Sequence, residues 1–155
     1  MQDNSNISFS GAFSYSLDSK CRLSIPAKYR KSLDPGNNGM MVLVKGFDGE
    51  LMVYPLKNWL VVENELRSLN SIKRRNRNFV RTILKTASHI PIDSHGRIAI
   101  PETLLNFAHI EKNVTIIGMI NRLELWNPEI LAQYEAEQTD NDSRIFEDLA
   151  NDISF

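Results

Sequence analysis

Very little in this sequence offers covalent or metal chemistry. Its single cysteine, Cys21, excludes an internal disulfide. Only three histidines are present. Two of them, His89 and His95, flank Asp93, but a zinc or acid–base site needs a third or fourth ligand and a pocket, and only His109 is left to add to them. No glycine-rich phosphate loop occurs. The expectation is no cofactor, no metal, no catalytic residue and no small-molecule substrate: not an enzyme. No apolar run approaches the roughly 20 residues of a membrane span. Met1–Ser10 is polar and lacks the basic start and apolar core of a secretory signal. Residence in the cytoplasm, off the membrane, is expected.

Net charge is also nearly absent, at −1. That total conceals a division along the chain. From Lys57 to His89 there are eight basic residues and two acids; from Glu124 to Phe155 there are nine acids against Arg144 alone. Such an asymmetry can carry a basic face within a near-neutral total, or simply reflect a solvated helix surface and an acidic end.

What the chain does have is an internal repeat. Ser16–Pro26 reads SLDSKCRLSIP and Pro91–Pro101 reads PIDSHGRIAIP. At an offset of 75, Asp18, Ser19, Arg22, Ile25 and Pro26 match Asp93, Ser94, Arg97, Ile100 and Pro101. At an offset of 72, Gly46, Leu51, Val53 and Tyr54 then align with Gly118, Leu123, Leu125 and Trp126. The second collinear stretch makes chance a poor explanation for the first.

Each copy has the same grammar. An alternating apolar strand is interrupted by an Asp-Ser-x-x-Arg turn, with Gly96 of the second copy suited to positive φ. Pro26 and Pro101 then open short helices expected at Ala27–Leu33 and Glu102–Phe107. Hairpins follow, from Met41–Lys45 with Glu50–Tyr54 and from Val114–Ile117 with Arg122–Trp126. Leu56, Trp59, Leu60 and Leu66 mark a helix after the first copy. Ile72, Phe79, Val80, Ile83 and Leu84 mark a basic one, capped at Ser71. Asn127-Pro128 starts a further helix reaching about Glu137, and the acidic end beyond Thr139 is expected to lack regular structure.

One such unit has too few strands to bury its own apolar face. The fold class expected is α+β, mainly β: two tandem halves closed around each other as one pseudo-twofold β-barrel with helices outside. The divisions expected are a first half at 12–59, a connecting basic helical region at 60–85, a second half at 86–129, and a C-terminal helix with acidic tail at 130–155.

Phe9-Ser-Gly-Ala-Phe13, the two motifs, Tyr54-Pro-Leu56 and Leu123-Glu-Leu-Trp126 together resemble the MraZ family, over about Phe9 to Glu129. The resemblance implies two AbrB-like (SpoVT-AbrB) swapped-hairpin halves. It implies a transcription regulator of the bacterial division and cell-wall gene cluster, nucleoid-associated, binding repeated promoter boxes of double-stranded DNA as a ring-like homo-oligomer. Arg22 carries over as the leading DNA contact, Lys20 as its neighbouring lysine, and Arg97 as the equivalent of Arg22 in the second half. Two positions depart from the family pattern: Cys21 stands where glycine is usual, and His95 where lysine or glutamine is typical.

The chemistry suits these residues. An arginine beside a hairpin turn presents a planar donor fork to guanine O6 and N7, and a two-stranded ribbon fits the major groove. Asp18 and Asp93 are placed to orient the arginines or brace the turns, and Lys20, Lys28, Arg30 and Lys31 to meet phosphates. The plain alternative is that Asp18–Arg22 and Asp93–Arg97 only stabilise turns. The basic helix is open to two assignments, DNA contact or pairing with a neighbour's acids. At the level of function, the rival is a non-catalytic oligomeric module that uses the same fold to bind a protein partner.

Overall fold

The computed structural model describes residues 8–31, 33, 39–138 and 140–153. Among the described residues, eight strands and six helices follow one another in an order that repeats. The first copy contributes β1 (Ala12–Ser16), β2 (Arg22–Ser24), α1 (Ala27–Arg30), β3 (Met40–Lys45) and β4 (Leu51–Pro55). The second contributes β5 (Ser88–Pro91), β6 (Arg97–Ala99), α4 (Glu102–Phe107), β7 (Asn113–Gly118) and β8 (Leu123–Trp126). Between them lie α2 (Leu56–Arg67) and α3 (Arg74–Leu84); α5 (Pro128–Ala136) and α6 (Asp140–Asp152) close the chain.

The copies are joined strand by strand. Six strands form one antiparallel sheet in the order β1-β7-β8-β4-β3-β5, and β2 pairs with β6 in a separate two-stranded ladder. Thus β1 pairs with β7 of the other copy, and β5 with β3. At the centre, Leu51 pairs with Leu125 and Val53 with Leu123, a register that maps onto itself when the copies are exchanged. The fold is therefore α+β and mainly β, as expected. The large sheet is hydrogen-bonded in a linear order from β1 to β5, and β2–β6 forms a second ladder.

Period-2 alternation explains how the sheet buries both faces. Met41, Leu43, Leu51 and Val53 point into the larger core with Val114, Ile116, Leu123 and Leu125, all fully buried. Leu23, Ile25, Ile98 and Ile100 enter the same core from the β2–β6 ladder and the residues after it. Each such side chain stabilises the fold by about 1.5–3 kcal/mol. The intervening residues Val42, Val44, Met52 and Tyr54 form a second cluster with Trp59 of α2 and Ile83 of α3. That is why the two linking helices cover the outer face of the first copy.

Four expectations change at the level of helices. The helix expected at Ala27–Leu33 ends at Arg30; position 32 lies outside the described residues. α3 starts at Arg74, not behind a Ser71 cap, and Ile72 is exposed. The Asn70 side chain accepts the Ile72 amide, so a local turn occupies the backbone groups that an earlier start would need. Leu60, assigned to the apolar side of its helix, is half exposed. Residues 140–152 form a helix where no regular structure was expected. By contrast α5 begins as expected, with Asn127 Oδ1 accepting the amides of Glu129 and Ile130 and Pro128 in the first turn. Among the described residues no helix is long and apolar enough to cross a membrane.

Candidate nucleic-acid interface

The two Asp-Ser-x-x-Arg turns are built by the same hydrogen bonds. The Asp18 amide donates to the Arg22 carbonyl at 3.0 Å, and the Cys21 amide donates to the Asp18 carbonyl at 3.0 Å. Asp18 Oδ1 accepts the amides of Lys20 and Arg22, each at 2.9 Å, and its Oδ2 accepts Arg22 Nε at 2.7 Å. In the second turn Asp93 repeats every bond. Its amide and carbonyl engage Arg97 and Gly96 at 2.8 and 3.0 Å. Its Oδ1 accepts His95 and Arg97 amides at 2.8 and 3.0 Å, and its Oδ2 accepts Arg97 Nε at 2.9 Å. One carboxylate thus satisfies the turn's amides and fixes the arginine that follows them.

These bonds also govern the carboxylates' acidity. The Arg97 amide is the main influence holding Asp93 down to about 2, aided by the His95 amide and the Arg97 guanidinium against partial desolvation. Asp18 is lowered as well, chiefly by the Arg22 amide.

Both turns need a left-handed residue. Gly96 has φ +77° and Cys21 has φ +56°. Glycine meets that demand without strain, and cysteine does not.

The turns are then brought side by side. In the β2–β6 ladder Arg22 faces Ala99, Leu23 faces Ile98, and Ser24 faces Arg97. Two reciprocal bonds extend it: the Ile25 amide donates to the Gly96 carbonyl at 2.9 Å, and the Ile100 amide to the Cys21 carbonyl at 3.1 Å. Leu23 and Ile98, on the local pseudo-twofold, are buried, so alternation turns Arg22 and Arg97 together to the opposite face. Diagonal neighbours in such a ladder lie about 7–8 Å apart. A third ion pair crosses between copies, with Arg97 Nη1 3.7 Å from Asp18 Oδ2. The arginine side chains remain about a quarter exposed, at 28% and 26%.

Arg22, Arg97, Asp18 and Asp93 therefore form one cluster. Lys20 is exposed at the tip of the first turn. Lys28 lies on α1, its ammonium 6.0 Å from the centre of the Phe13 ring of β1. Sequence reasoning assigned Arg30 only to phosphates, whereas its side chain lies against Gly96 of the other copy. It also missed the Asp18–Arg97 contact. The signal for both was the repeat itself, since paired copies place each turn beside the other's strand. His95 Nδ1 lies 3.3 Å from Ser94 Oγ and 3.5 Å from Arg97 Nη2, which ties it to its own turn. No group of three or more His, Cys, Asp or Glu able to hold a metal ion occurs among the described residues.

Fold and site define a class: a duplicated α+β protein whose two copies merge their arginine turns into one outward-facing ribbon. The profile of the family described as "MraZ protein, putative antitoxin-like" matches residues 8–82 and again 83–152, and the chain belongs to the MraZ family. It is similar to the "Transcriptional regulator MraZ" of Limosilactobacillus reuteri (strain DSM 20016), 42% identical over 143 residues, which is 92% of this chain and 98% of that protein. The protein of the same name in Pediococcus pentosaceus is 41% identical over 145 residues, 94% of this chain and 96% of its own. That of Clostridium acetobutylicum is 37% identical over 132 residues, 85% and 90% of the two chains.

Proposed function

We propose that this protein is a DNA-binding transcriptional regulator, not an enzyme, and that the β2–β6 ribbon is its reading head. The observation carrying this is the common outward face of Arg22 and Arg97, each held at Nε by an aspartate. With Nε occupied, an acceptor pair such as guanine O6 and N7 is met by the terminal nitrogens, which in Arg97 also lie 3.7 Å from Asp18 Oδ2 and 3.5 Å from His95 Nδ1. A separation of about 7–8 Å between diagonal neighbours corresponds to roughly two base-pair steps of 3.4 Å. Lys20 and Lys28 supply phosphate contacts; Asp18 and Asp93 orient the arginines. The names of the relatives support regulation of transcription.

The finer reading extends the same argument. One ribbon makes few contacts, so specific binding needs several copies, and a homo-oligomer on repeated boxes supplies them by multivalency. The exchange of β1 and β5 between copies supports a swapped-hairpin description of the halves. The family resemblance extends the proposal to a ring-like assembly, to the division and cell-wall gene cluster as target, and to a cytoplasmic, nucleoid-associated location.

The test is binding to the protein's own upstream promoter DNA against scrambled DNA at two salt concentrations. Wild type should prefer the promoter and weaken with salt. Arg22→Ala and Arg97→Ala should each lose the preference, whereas Lys20→Ala should weaken both DNAs alike and reduce the salt slope by about one. No preference at either salt refutes the proposal and favours the protein-partner module.

A further inference from the structure

We propose that α6 of one copy docks into the groove between α2 and α3 of a second copy. This specifies a contact within the homo-oligomer proposed above and rests on that reading.

The groove has an apolar floor and a basic rim. Leu66, Leu69, Val80 and Leu84 line two adjoining hollows of about 390 and 290 Å³, which share Leu66, Arg67 and Val80 and are therefore continuous. Arg67, Arg77 and Arg81 edge it. α3 carries four arginines and no acid, and among the described residues none of them lies within ion-pair distance of a carboxylate. Arg77 Nη1 is held instead by the carbonyls of Ser71 and Ile72, at 3.0 and 2.6 Å. Glu63 also lines the groove and lies 3.9 Å from Arg67. Arg77 and Arg81 therefore give the rim its excess positive charge, which calls for an anion. An apolar floor calls for hydrocarbon, which a phosphate backbone does not have.

α6 has both. Ile145, Phe146 and Leu149 recur at helical spacing and form one stripe, with Ile153 just past the helix end, yet each is about half exposed, at 45%, 54%, 57% and 60%. The helix carries five carboxylates against Arg144 alone. Helical spacing sets Asp148 and Asp152 along one border of the stripe. Its 13 residues span about 20 Å, enough to run beside the 11 of α3. An amphipathic helix laid into a groove of opposite charge is a recurrent mode of recognition. In its own chain the stripe is uncovered, so the occupant is the α6 of a neighbouring copy.

The experiment is sedimentation velocity over a range of concentrations on four forms: the full chain, a chain ending at Gln138, Arg77→Glu/Arg81→Glu, and that pair combined with Asp148→Arg/Asp152→Arg. Circular dichroism checks that each is folded, and DNA binding is scored separately on a single box. The full chain should assemble. Truncation and charge reversal should each weaken assembly at least tenfold, and the combined variant should recover it. An assembly indifferent to truncation, or a combined variant no better than the reversed pair, overturns the α6 contact alone. A full chain monomeric at every concentration overturns the contact together with the homo-oligomer. Loss of specific DNA binding in a chain whose assembly still depends on α6 would instead sink the regulator reading and leave the contact standing.

Discussion

Replacing Cys21 with glycine should stabilise this protein. Cys21 is exposed and sits at φ +56°, while Gly96, its counterpart in the second copy, sits at +77°. The left-handed region costs a side-chain-bearing residue about 1–2 kcal/mol. Glycine removes that strain but has more freedom to lose on folding, about 0.5–1 kcal/mol. The midpoints of these ranges differ by about 0.75 kcal/mol, which should raise Tm by about 1.5–3 °C in a chain of 155 residues. Gly96→Ala should do the reverse with a further cost, because a Cβ there meets the Arg30 guanidinium, which must move aside. Thermal unfolding of Cys21→Gly, Gly96→Ala and the double variant tests this directly. The double variant should return towards the wild-type value. A lower Tm for Cys21→Gly would refute the claim that the first turn is strained.

Other consequences follow from the same geometry. Asp93 is held at about 2, below its ordinary 3.8, so it stabilises the second turn fully above about pH 4 and loses that contribution as pH falls through about 2. Wild type should therefore destabilise more steeply than Asp93→Asn between pH 4 and 2 in acid-unfolding curves; parallel curves would contradict this. Burial, and then the nearby Glu124, raise the Glu50 carboxyl, so the folded state holds its proton more tightly and stability declines as pH rises through the carboxylate range. Glu50→Gln keeps an acceptor for the Asp48 amide and should flatten that decline, giving a higher Tm than wild type at pH 8. Ile98→Ala, at the crossing of the ribbon and fully buried, should cost about 2–5 kcal/mol in denaturant unfolding. A loss below 1 kcal/mol would show that the ribbon does not depend on this core.

Much of this was legible in the sequence because a repeat reports on pairing as well as on elements. The 75-residue offset anticipated two equivalent turns, and the glycine at position 96 anticipated the left-handed geometry that Cys21 shares. Asn127-Pro128 read correctly as a helix start because a cap is a local signal. The misses are tertiary or compositional. Ile72 looks like the first turn of a helix until the Asn70 turn competes for its amide. The stripe at Ile145, Phe146 and Leu149 was masked by the acids around it, so the last helix read as an unstructured tail. The helices expected outside the strands are α2 and α3, which cover the outer face of the first copy.

The most direct test of the central claim pairs a protein atom group with a DNA atom. Each guanine of a promoter box is replaced in turn by 7-deazaguanine, which removes the N7 acceptor, and binding is measured for wild type and Arg22→Ala. At one guanine wild type should lose about 1–3 kcal/mol, roughly tenfold per 1.4 kcal/mol, while Arg22→Ala loses nothing further. Arg97 should show the same coupling at a second guanine. Equal losses in wild type and variant at every guanine would mean that these arginines do not read the bases, and would contradict the account.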